Sequence, residues 1–160
     1  MNEKEAILKK FRDHYNNDHY INFRRLKKII QPLINIEDAE ALLLFGILLS
    51  GSDSSSKERR SKQMLESAAK LEFPPAISTL AETYYNKGIY SKAYPLYYKA
   101  ADLEEQHALF VLSAALKFGI DGLEKDLKLS QQYESRAEKA KKWDFITGYS
   151  INEFLLNVPI

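Results

Sequence analysis

The segment Asp13-His14-Tyr15-Asn16-Asn17-Asp18-His19-Tyr20 repeats an Asp-His-Tyr triplet at a spacing of five. Imidazoles beside carboxylates suggest a metal site. Five residues along a helix turn a side chain by about 140°, so one helical face cannot present both histidines. Asn16-Asn17 favours a turn, and turn or capping chemistry is preferred here over a metal centre. No third ligand set accompanies the pair, and neither a metal nor any other cofactor is expected. Glu104 and Glu105 are a second candidate pair. As neighbours at a helix boundary they suit the positive end of a helix better than acid–base work. No G-x-S-x-G, H-E-x-x-H, P-loop or Gly-rich dinucleotide turn is present, so no enzyme is expected. The absence of cysteine excludes a disulfide framework, a thiolate metal site and a thiol nucleophile.

Basic residues are a third candidate. Lys4, Lys9, Lys10, Arg12, Arg24, Arg25, Lys27 and Lys28 outnumber Glu3, Glu5, Asp13 and Asp18 over residues 1–30, with tyrosines and Phe23 interleaved. A nucleic-acid surface has this composition. So has the wet side of any helical hairpin, and nucleic acid is not the expected partner. A basic end would equally speed encounter with an acidic protein.

These groups must be carried on a scaffold. The 160 residues suffice for one domain whose core needs no covalent staples. Apolar residues make up 45%, the share of a globular chain. The net charge is +1, from 23 basic and 22 acidic residues, which exerts no overall pull on nucleic acid or an anionic membrane. Residues 1–5 lack an apolar signal core. The longest apolar run, at 41–49 and interrupted by Gly46, falls well short of the roughly 20 residues that span a bilayer. A cytoplasmic monomer with no membrane contact is expected. The bias toward Lys, Asn, Ile and Tyr suits an AT-rich, bacterial coding sequence.

Apolar residues recur at three- and four-residue spacing, the helical period. Ile7, Phe11 and Tyr15 share one helical face, and Phe23, Leu26, Ile30 and Leu33 another. Pro32 is expected to end or kink the second helix near Gln31. A third helix should start at Asn35 or Ile36 and run to about Ser50. A serine-rich loop follows, from which Ser55 is expected to cap the next helix with Glu58. Pro74-Pro75 opens another helix. Asn86-Lys87-Gly88 and Asp121-Gly122 mark turns, and Ser150 with Glu153 reads as a capping box before a final helix. The expectation is an all-α chain of about nine helices.

Segments also resemble one another. Ten residues ending at Ala69, Ala101 and Ala137 can be superposed, with the final alanines 32 and 36 residues apart. Upstream of each, Ala41, Ala76 and Ala108 are followed four residues on by Phe45, Leu80 and Leu112, and then by Gly46, Ala81 and Ser113. Small residues let paired helices approach closely, while the leucine and aromatic positions fill the space between turns. Such a hairpin cannot bury both faces alone, so it stacks on its neighbour.

This pattern resembles the Sel-one-like repeat, a relative of the tetratricopeptide repeat. That family's unit reads roughly A-x-A-x-x-x-L-G-x-x-Y, a Gly-rich loop, then D-x-x-K-A-x-x-W-Y-x-K-A-A. Asp38-Ala39-Glu40-Ala41 through Phe45-Gly46 fits the first half, and Lys92-Ala93 through Tyr97-Tyr98-Lys99-Ala100-Ala101 fits the second. The resemblance covers about residues 38–142. The loop after Asn86 is shorter than the family's, the loop after Gly51 is serine-rich, and Pro95 is expected to delay or fray the start of its helix. The implied architecture is an α/α solenoid in one domain, residues 1–160. It comprises a helix pair at 1–36, repeats at 37–73, 74–104 and 105–142, and a capping helix at 143–160 bearing Trp143, Phe145, Tyr149 and Phe154.

The resemblance implies a protein-binding scaffold without catalysis. First helices of such hairpins line a concave side, and superposing the units puts there Glu40, Leu43 and Ile47; Ser78, Glu82, Tyr85 and Asn86; and His107, Phe110, Ala114, Lys117 and Phe118. Aromatic anchors beside hydrogen-bonding groups suit a protein interface. The expected partner is one protein, of which a toxin or effector blocked by a small immunity protein is the sharpest case. The alternatives are a nucleic-acid-associated regulator using the basic N-terminal hairpin, and a peptide-binding chaperone or adaptor.

Overall fold

The structure, a computed structural model, describes residues 1–17, 22–50 and 54–143. Eight helices form, and no strand occurs among the described residues: α1 Glu3–Asn17, α2 Phe23–Asn35, α3 Ala39–Ser50, α4 Ser55–Lys70, α5 Pro74–Tyr85, α6 Tyr90–Asp102, α7 Gln106–Phe118 and α8 Leu127–Lys139. The ninth expected helix, with Phe145, Tyr149, Phe154 and the Ser150–Glu153 box, lies outside the described residues, as does His19. No described helix is long and apolar enough to cross a membrane. The described chain forms two compact units that divide at Ala76 and Ile77.

In the first unit, Leu8 and Phe11 of α1 meet Leu26, Ile30 and Leu33 of α2 and Leu44, Phe45 and Leu48 of α3 in one buried cluster. Each such side chain contributes roughly 1.5–3 kcal/mol by leaving water. Helix α4 packs on α3 at Gly46. A Cβ added to Gly46 would stand 2.9 Å from Cδ2 and 3.0 Å from Cγ of Leu65. Ser61 Oγ donates to the Gly46 carbonyl at 2.7 Å. The second unit repeats the device, with Ser130 Oγ of α8 donating to the Ser113 carbonyl of α7 at 2.9 Å. Counted from these serines, the matching alanines are Ala68 and Ala137, both fully buried. The first hairpin is therefore one residue out of the register that Ala69 suggests.

Short polar side chains start the helices. Asn2 accepts from Glu5 N at 2.8 Å while Glu5 reaches back to Asn2 N. Asn22 accepts from Arg25 N, Asp38 from Ala41 N and Asp126 from Leu129 N. These bonds satisfy first-turn donors that the helix itself leaves open. Three boundary expectations are corrected. Helix α2 runs through Pro32 to Asn35, because so near the helix end the missing N–H removes only the bond to the Lys28 carbonyl. Helix α4 takes Ser54 as its N-cap, with no side-chain bond from it; Glu58 N bonds the Ser54 carbonyl instead. Helix α6 starts at Tyr90 in spite of Pro95, since Lys92 N and Ala93 N both bond the Ile89 carbonyl.

The connections before α3, α5 and α7 share one conformation. Glu37, Glu72 and Glu104 have φ of 55°, 56° and 56°, each after an exposed apolar residue, Ile36, Leu71 or Leu103. A side chain in this left-handed region costs about 1–2 kcal/mol, which glycine avoids. Glu37→Gly should therefore raise stability by about 1 kcal/mol, read as a higher denaturant midpoint. An unchanged or lower midpoint would contradict a strained junction.

Candidate functional site

Tyrosines dominate the second unit. Four-residue spacing puts Tyr90, Tyr94 and Tyr98 along one side of α6, and Tyr97 is fully buried beside them. Tyr85, the last residue of α5, meets the rings of Tyr90, Tyr94 and Tyr97 at centroid distances of 5.2, 6.4 and 6.3 Å, all edge-on. Edge-to-face pairs of this kind add about 0.5–1.5 kcal/mol each beyond burial. The Tyr85 hydroxyl donates to the Asp121 carboxylate. Burial first, and then this bond, push the Tyr85 phenol well above its ordinary range, so it stays a donor. Tyr90 hydrogen-bonds the same carboxylate.

Asp121 is delivered by the loop after α7. Gly119 ends that helix at φ 66°, where a Cβ would stand 3.1 Å from Lys125 N, so a side chain there would be strained and would crowd the Lys125 backbone. Asp126 N then bonds the Leu116 carbonyl at 2.9 Å and closes the loop. The Tyr85–Asp121 bond thus brings the C-terminal ends of α5 and α7 together. At their other ends, Glu105 caps α7, accepting from Ala108 N at 2.7 Å and His107 N at 3.2 Å. Burial raises the Glu105 carboxyl, and these bonds counter it. His107 stands 6.2 Å from the Tyr97 ring. Its enclosure lowers the imidazole to about 4, so the ring is neutral at pH 7.

The sequence-predicted residues fall into three groups. Leu43, Ile47, Ser78 and Ala114 are buried at 7% exposure or less, because the helix packing itself takes these faces. Glu40 is half-buried and receives Arg12 Nη1 at 2.6 Å. Glu82 is also half-buried, His107 is enclosed against Tyr97, and Tyr85 is the centre of the ring cluster. Asn86, Lys117 and Phe118 are exposed, Phe118 by 50%, and Phe110 is partly so. Of the basic N-terminal residues, Lys4 pairs with Asp38 at 2.7 Å and Lys9 with Asp13 at 2.8 Å. With Arg12 also engaged, the exposed basic side chains of α2 are Arg24, Arg25 and Lys28.

Sequence reasoning missed Asp121 as anything beyond a turn residue, and missed the α6 tyrosines as a cluster. Their four-residue spacing was a visible signal; the pairing with Asp121 was not, being 36 residues from Tyr85. Among the described residues no group of three or more His, Asp or Glu side chains could hold a metal ion.

The fold is similar to that in a crystal structure of a Sel1 repeat protein from Oxalobacter formigenes, with a TM-score of 0.69 at 20% sequence identity. The match covers 87% of this chain and 59% of that one, so the chain spans less than two thirds of that protein's length. No family model matches the sequence, and no curated protein matches it. The chain has a Sel-one-like α/α repeat fold.

Proposed function

We propose that the chain is a protein-binding module that meets its partner at the C-terminal ends of α5 and α7. The observation that carries this reading is Phe118, a large aromatic side chain left 50% exposed at the end of α7, with the Lys117 ammonium near its ring. The flanking Lys117 and the exposed Asn86 supply charge and hydrogen bonding around it. An apolar anchor with a polar rim is the anatomy of a protein interface. Tyr85 stands behind this surface, tied to Asp121 of the following loop, whereas His107 lies in the first turn of α7, at its opposite end. The repeat fold favours the same reading, since stacked helix pairs offer long surfaces to a guest. On this view the module acts without catalysis, as a cytoplasmic monomer, and a toxin or effector held inactive is the most specific form of partner.

Tyr85→Ala is a poor test, because the residue anchors three rings and Asp121. Phe118→Asp combined with Asn86→Ala changes only exposed side chains and should move stability by less than about 0.5 kcal/mol per site. Tagged wild-type protein expressed in its native host should capture a discrete protein that the double variant fails to hold, with an unchanged melting curve. Equal capture by both would place the interface elsewhere.

A further inference from the structure

A cleft of about 500 Å³ opens between the first half of α6 and the loop after α7. Tyr90, Tyr94 and Tyr98 line it, with Ser91 and Pro95 between them and Asp121 across from them. The lining contains a carboxylate and no basic side chain. Its polar side chains are one carboxylate, which only accepts, and four hydroxyls, which both donate and accept. Asp121 is held in place by Tyr85 and Tyr90 before any guest arrives. Pro95 has no N–H to give the Ser91 carbonyl, so that oxygen lacks its helical donor. The Tyr94 hydroxyl is enclosed without a protein partner.

Ring faces carry negative quadrupole charge and attract cations. A neutral apolar guest would leave the carboxylate without a counter-charge, and an anion would be repelled by it. Arginine and lysine heads are donors only, which suits the Asp121 carboxylate and the aromatic rings around it. We propose that this cleft receives the cationic head of an arginine or lysine side chain presented by a protein partner. The source of that side chain rests on the protein-binding reading above; the cleft's preference for a cation does not.

The test is an NMR titration of the full chain with N-acetyl-arginine amide and, separately, N-acetyl-citrulline amide, which keeps the shape and loses the charge. The arginine probe should shift the Asp121 and Gly122 amides with millimolar affinity, and the citrulline probe should bind at least about tenfold more weakly. Asp121→Asn retains an oxygen for Tyr85 and should erase the difference between the probes with the circular dichroism spectrum intact. Equal affinity of the two probes for wild-type protein, or no shift at these amides, would overturn the proposal whether or not the variant folds. So would a folded Asp121→Asn protein that still prefers arginine. None of these outcomes bears on partner capture through Phe118, so the two readings fail separately.

Discussion

Lowering the pH from 7 to 4 should cost the wild-type protein on the order of 3 kcal/mol more than it costs His107→Phe. The imidazole titrates near 6.5 in an unfolded chain and at about 4 in the enclosed site beside Tyr97. Between those values the unfolded state binds more protons than the folded one, so stability falls as pH falls. The contribution is fully present above 6.5 and is lost through pH 4, and each tenfold displacement is worth about 1.4 kcal/mol. Glu105 acts in the opposite sense. Its carboxyl is raised by burial, so the stability linked to it is present below the ordinary carboxylate range and is lost as pH rises through the folded value. Glu105 persists in both proteins, and the comparison isolates the histidine. Urea midpoints at pH 7, 5.5 and 4 measure it; parallel losses in the two proteins would mean that the ring is not enclosed.

Gly46→Leu should destabilise the first unit by about 3 kcal/mol, the upper end of the usual cost of overpacking. The added side chain would enter space held by Leu65 and would crowd the Ser61–Gly46 bond. Gly46→Ala should lose far less, because about 1 kcal/mol of helix propensity offsets the displacement of Leu65. Adding Leu65→Ala to Gly46→Leu should recover part of the loss, giving a coupling of about 1–3 kcal/mol by denaturant unfolding. Strict additivity would mean that the two helices do not meet at Gly46.

Helix content and pairing were legible because they follow from local chemistry and short-range period. The recurrence of Gly46, Ala81 and Ser113 marked positions where Gly46 and Ser113 now accept serine hydroxyls across their hairpins. The Glu37, Glu72 and Glu104 junctions escaped notice because glutamate does not announce a left-handed backbone as glycine does. Pro32 and Pro95 misled because a missing donor is tolerated where few helical bonds depend on it. The site was less legible. Laying first helices on one another treated them all as equally open, yet Leu43 and Ile47 are interior. Which face of an almost wholly apolar helix such as α3 points outward is decided by neighbours, not by its own period. Asp121 depends on loop geometry at Gly119, which residue spacing does not encode.

Amide hydrogen exchange on the captured complex tests the binding face most directly. The account predicts new protection at Asn86, at Lys117 and Phe118 and through Asp121, with exchange in α1 and α2 unchanged. Protection confined to α2, around Arg24, Arg25 and Lys28, would contradict it and move recognition to the basic helix pair.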